Sequence, residues 1–259
     1  MSIALIGHTG FIGGNLARQF AFDERYNSEN ISGIRGKEFE LLVCAGVYAV
    51  KWMANQKPVE DRARIDALLF ELASVQARKV VVISTVDVYP LHSGVDETFD
   101  CHSLPTHAYG ANRLYFEDAM RAHFEDVTVV RIPGVFGTGL KKNVIYDLLR
   151  DNCLEAINPD SSFQYYNVSN LWLDLQRLAP AGIRLINFVT EPIRTSRIID
   201  SFFPGKAIGT RPAPEAHYEV HTLYSREFGG PPRYLATADQ VMNDLGDFVR
   251  EARNDDVAT

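Results

Sequence analysis

The sequence predicts an α/β protein in which helices cover a parallel β-sheet. Short apolar runs alternate with longer stretches of helical spacing, in the order β-α-β-β-α-β-α-β as far as Ile132. A glycine-rich turn follows the first apolar run directly. The chain has 259 residues, of which 46% are hydrophobic and 23% charged, so it can bury a large core and is not disordered or fibrous.

A local sequence pattern predicts each strand and helix of the first half. The strands are short apolar runs, in part β-branched, and are expected at 3–6, within 23–30, and at 41–46, 79–84 and 127–132. The helices carry apolar residues on one face and are expected at 11–22, from Pro58 onward and at 106–124.

The second half has shorter elements, because prolines interrupt the chain frequently after about Gly134. Helices are expected at 143–150 and 237–252, and a strand at 184–189. Residues 1–139 are therefore predicted to form the core of the sheet. Residues 140–259 are predicted to add its last strand and a small lobe that covers a ligand, all in one compact unit.

Composition excludes several classes of protein. The net charge is −7 at pH 7 and no run of lysines and arginines occurs, which argues against nucleic-acid binding. No apolar run approaches the roughly 20 residues of a membrane span, and the first residues do not resemble a signal peptide. The three cysteines fit neither a disulfide framework nor a zinc site, so we expect no metal and a cytoplasmic location.

A turn with three glycines opens the first helix, Gly7-His8-Thr9-Gly10-Phe11-Ile12-Gly13. Glycines let the backbone approach a pyrophosphate closely, and the helix N-terminus then binds it. This context predicts a Rossmann-like, doubly wound sheet with a dinucleotide at the turn. A glycine-rich turn without a ligand is the alternative. The candidate cofactor-binding residues are Gly7, Thr9, Gly10, Phe11, Ile12 and Gly13.

Three further motifs follow in order. STVDVYP (84–90) comes at the end of a strand, AYGANRLYFED (108–118) begins a helix, and VRIPGVFGTG (130–139) follows. Together with GHTGFIGGN (7–15), they make the chain resemble an extended short-chain dehydrogenase/reductase of the NAD-dependent epimerase/dehydratase family. The resemblance covers residues 1–139 well and continues weakly through 163–171.

The resemblance implies hydride transfer between a nicotinamide cofactor and a substrate carbon. Tyr109 would be the general acid/base, and Thr85 would hydrogen-bond the same substrate oxygen. Further residues would lie against the cofactor, namely Ala45, Gly46, Ser84 and Pro133. The alternative for Tyr109 is a tyrosine that only packs against the sheet at the start of a helix.

Arg113 occupies the position, four residues after Tyr109, at which the family has a lysine. Arginine keeps the charge that favours a phenolate and can donate to the nicotinamide ribose, but it does not release a proton at accessible pH. Two interpretations stay open. Either the chemistry proceeds with an altered pH dependence, or the domain binds a dinucleotide without turnover.

Asp87 precedes the Val-Tyr pair, where the resemblance implies a second acid/base near the substrate. The residue before it, often another acid in the sugar dehydratases of the family, is Val86, which argues against 4,6-dehydration. A carboxylate that caps a helix or lies in a loop is the alternative for Asp87.

Residues 30–41 leave only about ten positions between two strands, fewer than a parallel crossover usually needs. The family has a further strand and helix here, so this chain is expected to lack one βα unit. The end of the second strand offers Asn27, Ser28 and Asn30, with Arg35 beyond, in place of the carboxylate that usually clamps the adenosine ribose. A 2′-phosphate is then not repelled, so NADP is favoured slightly over NAD, with Ser28 as a cofactor contact.

Lys141, Lys142 and Asn143 open a helix that faces the substrate in the family, and two lysines at a helix start suit a diphosphate. A solvated basic pair is the alternative. The predicted function is an NAD(P)-dependent reductase or epimerase of a nucleoside-diphosphate sugar, whose substrate contacts are Thr85, Asp87, Lys141 and Asn143. A dinucleotide sensor or scaffold without turnover and a reductase of a non-nucleotide carbonyl compound are the alternatives. The resemblance leaves a homodimer open, in which residues 109–124 would join a four-helix bundle.

Overall fold

Six strands form a parallel sheet at the centre of the protein. A computed structural model describes residues 2–257. With strands numbered along the chain, the order across the sheet is β2 (Glu24–Tyr26), β1 (Ser2–Ile6), β3 (Glu38–Cys44), β4 (Gln76–Thr85), β5 (Val127–Ile132) and β9 (Leu185–Asn187). Every neighbouring pair in this sheet is parallel.

Helices cover both faces of the sheet. One face carries α3 (Pro58–Leu72) and α4 (Ala108–His123), and the other carries α1 (Phe11–Gln19) and α6 (Leu171–Ala181). Side chains alternate along each strand, so Ala4 and Ile6 pack toward α3 and α4 while Leu5 packs toward α1 and α6. The predicted doubly wound, Rossmann-like α/β fold is confirmed.

The missing βα unit is also confirmed. β2 lies at the edge of the sheet and pairs with β1 alone. β1 lies between β2 and β3, because its residue Ala4 is opposite Glu24 of β2 on one side and Leu42 of β3 on the other. The chain passes from β2 to β3 through a short 3-10 turn at Ile31–Ile34. No strand covers the outer side of β2 within residues 2–257.

The remaining elements belong mostly to the second half of the chain. They are α2 (Lys51–Gln56), β6 (Gly134–Phe136), α5 (Val144–Arg150), β7 (Ser162–Phe163), β8 (Tyr165–Asn167), β10 (Ile193–Arg194), α7 (Thr195–Phe202) and α8 (Ala238–Val257). β6 pairs with β8 and β7 with β10, and α5, α7 and α8 share a third apolar cluster. β9 returns to the main sheet beside β5, so the second half supplies the last strand. The division at residue 139 stays a prediction.

Three helices, α2, α6 and α7, were not predicted from the sequence, and α1 is shorter than predicted. α1 ends at Gln19 rather than at residue 22, because Phe20 adopts an extended backbone and its ring stacks on Trp172, with 4.2 Å between centroids. Trp172 belongs to α6, in the half of the chain where frequent prolines predicted only short elements. Pro180 lies in the last turn of α6 and does not prevent the turns before it.

Within the described residues, no helix combines the length and the apolar character that crossing a bilayer requires.

Candidate active site

The candidate site lies at the carboxyl ends of β1, β3 and β4, where parallel sheets leave a crevice for a ligand. β1 leads into the glycine turn, β3 into Ala45 and Gly46, and β4 into the turn of Asp87. The first two segments touch, since a Cβ added to Gly7 would lie 2.4 Å from the carbonyl oxygen of Ala45. The fold therefore brings separate sequence motifs to one edge of the sheet.

Glycine occupies each of the three positions in the turn for a different structural reason. Gly7 has φ +89°, a conformation that side chains disfavour, and a Cβ on Gly13 would lie 2.1 Å from the oxygen of Gly7. Gly10 has φ −77°, and its Cβ would meet only the Gly7 oxygen, at 3.3 Å. The first and third glycines are thus needed to fold the turn. The second keeps the space in front of the helix open.

The start of α1 suits a phosphate. Gly10 is the N-cap and no side chain caps the helix, so the N–H groups of the first turn have no partner within the helix. Thr9 and Gly10 are exposed, and Phe11 and Ile12 are half-buried. Free N–H groups and the positive end of the helix dipole together attract an anion. The turn therefore fits the pyrophosphate of a dinucleotide.

The end of β2 presents amides and a hydroxyl. Asn27 accepts from the N–H of Glu29 at 2.9 Å, and Asn30 accepts from the N–H of Asn27 at 2.7 Å, so the two asparagines shape the turn. Ser28 is exposed between them. The guanidinium of Arg35 is bound elsewhere, because it donates two hydrogen bonds to the Glu71 carboxylate, at 2.6 and 2.7 Å.

Tyr109 lies in the first turn of α4 and is 7% exposed. Its N–H donates to the Oδ1 of Asn55 at 2.9 Å. The next residue, Gly110, packs so closely on the turn after β4 that its Cβ would lie 2.1 Å from the carbonyl oxygen of Asp87. Burial raises the pKa of the Tyr109 phenol, against the opposing effect of the Arg113 cation and with a further rise from Asp87.

Asp87 lies among several polar groups. Its N–H donates to the Oγ1 of Thr85 at 3.1 Å, and its Oδ1 accepts from the Nζ of Lys51 at 2.7 Å and from the hydroxyl of Tyr218 at 3.2 Å. The Nε2 of His107 is 4.0 Å from the same oxygen. Thr85 and Asp87 therefore lie on the same turn, as predicted, and Asp87 is ion-paired.

Ser84 points to the other face of the sheet from Thr85, because neighbouring strand residues alternate. Its hydroxyl donates to the carboxylate of Glu117 at 2.5 Å, and Glu117 also accepts from Arg131 at 2.7 Å. A contact of Ser84 with the cofactor would thus involve its backbone. Pro133, between β5 and β6, is half-buried.

The two terminal nitrogens of Arg113 are engaged within the protein, whereas its buried Nε has no hydrogen-bond partner. Its terminal nitrogens donate to both carboxylate oxygens of Asp61, to the carbonyl of Tyr48 and to the carbonyl of Tyr109. The residue is 3% exposed, and its Cζ lies 4.0 Å from the centroid of the Tyr109 ring. Arg113 therefore places a cation beside the phenol. A terminal nitrogen could donate to a ribose only if one of these bonds opened, and the buried Nε is the one donor of this side chain without a partner.

The predicted substrate residues near α5 differ in their surroundings. Asn143 accepts from two N–H groups of α5, those of Ile145 and Tyr146, at 3.0 and 3.2 Å, and donates to the carbonyl of Val135 at 2.8 Å. Its amide thus caps the helix, and its contact with a substrate stays a prediction. Lys141 is exposed just before this cap.

Four residues at the site were not predicted. Lys51, His92, His107 and Tyr218 surround Asp87, and the His92 ring stacks on the Tyr218 ring with 4.3 Å between centroids. No local pattern marks them, because each comes from a different segment and they meet only in the fold. His107 is not part of the motif that begins at Ala108, although it caps α4 by accepting from the N–H of Gly110 at 3.0 Å.

Replacing Arg113 by methionine should lower the free energy of unfolding by about 3–5 kcal/mol, because Asp61 would remain as an unpaired buried carboxylate. Urea denaturation measures the loss. The double variant Arg113→Met with Asp61→Leu removes both charges and should recover most of the stability. An Arg113→Met protein as stable as the wild type would contradict the structural role of this pair.

Solved structures share this fold. A double mutant of dTDP-glucose 4,6-dehydratase from Streptomyces venezuelae, solved with NAD, has a TM-score of 0.74 at 16% identity over 98% of this chain and 97% of that one. UDP-glucose 4-epimerase from Thermotoga maritima, solved with UDP-glucose, has 0.72 at 14% over 98% and 99%. dTDP-4-dehydrorhamnose reductase from Bacillus anthracis, solved with NADP, has 0.71 at 16% over 97% and 99%.

No family model matches the sequence, and no curated protein matches it either. At identities of 14–16% these likenesses concern the fold. Over nearly its whole length, the chain therefore has the fold of this dehydratase, this epimerase and this reductase.

Proposed function

We propose that this chain is an NAD(P)-dependent reductase or epimerase that acts on a nucleoside-diphosphate sugar. The observation that carries the proposal is the placement of Tyr109. Its buried phenol lies against the guanidinium of Arg113 and next to the turn of Asp87, at the sheet edge that also holds the glycine turn. The solved neighbours carry NAD or NADP, or are solved with UDP-glucose, which supports the same class of cofactor and substrate.

The dinucleotide is proposed to bind across the ends of β1, β2 and β3. Its pyrophosphate would rest on the uncapped first turn of α1, in the space that Gly10 leaves open. Bound NAD(P)H would supply a hydride to the substrate carbon. The residues proposed to hold the dinucleotide are Gly7, Thr9, Gly10, Phe11, Ile12, Gly13, Ser28, Ala45, Gly46, Ser84 and Pro133.

Tyr109 is proposed to exchange the proton. In reduction its phenol gives a proton to the substrate carbonyl oxygen as the carbon receives the hydride, and in oxidation the phenolate takes it back. Because burial raises the pKa of this phenol, Tyr109 holds its proton near neutral pH and is ready for reduction. The phenolate left behind would be stabilised by Arg113, whose guanidinium carbon is 4.0 Å from the ring centroid.

Thr85 and Asp87 are proposed to hold the substrate. The Thr85 oxygen accepts from the N–H of Asp87, which leaves the hydroxyl hydrogen free to donate to the same substrate oxygen as Tyr109. The carboxylate of Asp87 is proposed to act as a second acid or base near the sugar. Lys141 is the proposed contact to the diphosphate.

A dinucleotide sensor without turnover is the second candidate. It is favoured by Arg113, whose terminal nitrogens are already used by Asp61 and by backbone carbonyls. The two candidates differ in one measurable respect, since both bind the dinucleotide but only the enzyme oxidises or reduces it with a nucleotide sugar. The homodimer and the cytoplasmic location stay predictions.

Replacing Gly10 by valine should abolish dinucleotide binding and leave the fold intact, because the side chain would extend into the space before α1 rather than into the protein. Isothermal calorimetry with NADPH and NADH measures binding. Gly33→Ala is the control, since nothing lies within 4 Å of its Cβ position. Unchanged affinity in Gly10→Val would show that no pyrophosphate binds at this turn.

Replacing Tyr109 by phenylalanine should lower kcat by about a hundredfold or more, the usual contribution of a general acid/base, while cofactor and substrate still bind. Nicotinamide absorbance with a panel of keto-sugar nucleotides measures turnover. Tyr115→Phe, on the same helix, is the control and should keep its rate. If the wild type is active and Tyr109→Phe lowers kcat by less than about tenfold, Tyr109 is ruled out as the acid/base. A wild type that binds the dinucleotide but turns over no sugar would favour the sensor.

NADP(H) should bind more tightly than NAD(H), and the preference should weaken as salt rises because it rests on charge. Asn27→Asp places a carboxylate at the end of β2 and should shift the preference toward NAD(H), since it repels a 2′-phosphate and accepts from ribose hydroxyls. Titrations with both cofactors at low and high salt test this. A wild type that prefers NAD(H) would overturn it.

A further inference from the structure

Lys51 is the first residue of α2, in a segment that no motif covers. Its ammonium donates to the carboxylate of Asp87 at 2.7 Å and to the hydroxyl of Tyr218 at 3.2 Å. Asp87 belongs to the turn after β4, and Tyr218 comes from the second half of the chain. Lys51 therefore joins both sides of the crevice in which a substrate would lie.

The turn that Lys51 contacts is held tightly against Tyr109. Gly110 allows the start of α4 to approach the carbonyl of Asp87 so closely that no Cβ would fit between them. The N–H of Asp87 is in turn fixed by Thr85. A charge bound to the Asp87 carboxylate consequently has a fixed position relative to the phenol and the Thr85 hydroxyl.

Arg113 is suited to a different task. Its terminal nitrogens donate to Asp61 on α3 and to the carbonyls of Tyr48 and Tyr109, and only 3% of the residue is exposed. Only its buried Nε is left without a partner, whereas the side chain of Lys51 is 39% exposed and reaches the crevice. One residue thus holds helices together, and the other faces the space for substrate.

We propose that Lys51 is a positioning residue of the active site: from α2 it fixes the Asp87 carboxylate and places an ammonium at the turn that packs against the start of α4. This inference rests on the proposed function and adds to it a residue that holds Asp87 in place. The charged and titratable groups that surround Lys51, Asp87 and Tyr109 are His92, His107, Arg113, Lys142, Asp61 and Tyr218.

The charge of Lys51 is stable under ordinary conditions. Burial alone would lower its pKa, but the carboxylate of Asp87 and the hydroxyl of Tyr218 outweigh that effect and raise the pKa above its usual value. The neighbouring histidines respond in the opposite sense. Burial lowers the pKa of His107, and the Lys51 ammonium lowers it further. Removal of the ammonium should therefore raise the pKa of His107.

The first test needs no turnover. Histidine resonances are followed by NMR against pH in the wild type, Lys51→Met and Lys51→Arg. We expect Lys51→Met to move the titrations of His107 and His92 to higher pH, and Lys51→Arg to leave them near the wild type. His102, whose ion-pair partner is Asp118 on the outside of α4, is the internal reference. Lys57→Met, an exposed lysine six residues away, is the matched control. Unchanged His107 and His92 titrations in Lys51→Met would overturn the proposal.

The second test uses activity and separates this inference from the proposed function. Lys51→Met should lower kcat by at least about tenfold, the lower range for a group that assists proton transfer, and Lys51→Arg should restore most of the rate. The dissociation constant of the dinucleotide should stay unchanged in both variants. An active wild type whose Lys51→Met variant keeps its rate would overturn the role of Lys51 and leave the proposed function intact. A wild type without turnover, but with the histidine shifts, would overturn the proposed function and support the placement of the charge.

Discussion

Arg113 and Asp61 form a buried ion pair that joins α4 to α3 beside Tyr109, and the geometry of the candidate site depends on it. The guanidinium also donates to the carbonyl of Tyr48, so it binds the segment between β3 and α2 as well as α3. A planar, forked cation can satisfy a carboxylate with two bonds and stack on a ring at once. A lysine at this position could do only part of this. The pair thus gives a physical reason for arginine in a place where a lysine is expected.

The charges around Tyr109 leave the phenol protonated at rest. Burial raises the pKa of the phenol, and the cations Arg113 and Lys51 oppose that rise. Both cations are held by carboxylates, Asp61 and Asp87, which lie within the protein. In the proposed reaction, the phenol would give up its proton when a substrate carbonyl oxygen develops negative charge.

The sequence predicted the elements whose pattern is local. β5 was expected at 127–132 and lies at Val127–Ile132, because every residue of this run except Arg131 is β-branched, which suits a strand of a buried parallel sheet. The lost βα unit followed from chain length alone, since residues 30–41 cannot cross over a sheet by the usual route. The helix α6 was not predicted because prolines are frequent in this half of the chain, but Pro180 lies in its last turn and leaves the turns before it intact.

The site was predictable where motifs mark it and unpredictable where the fold assembles it. Thr85, Asp87 and Tyr109 were assigned from the motifs that carry the family resemblance, and the structure packs the turn of Asp87 against the start of α4. The partners of Arg113 could not be foreseen, since they depend on how α3 packs against α4. No sequence pattern marks Lys51, because its proposed role depends on contacts with Asp87 and Tyr218, which are 36 and 167 positions away in the chain.

The pH dependence of carbonyl reduction tests the central claim most directly, because it reports the protonation state of the acid that delivers the proton. If Tyr109 is that acid, its protonated form is active and is lost only as pH rises through its pKa, which burial raises. The single-turnover rate of NAD(P)H oxidation by a keto-sugar nucleotide should then stay level through neutral pH and fall only near or above about pH 10, the ordinary tyrosine range. A rate that already falls between about pH 6 and 8, the range in which histidines titrate, would contradict the account.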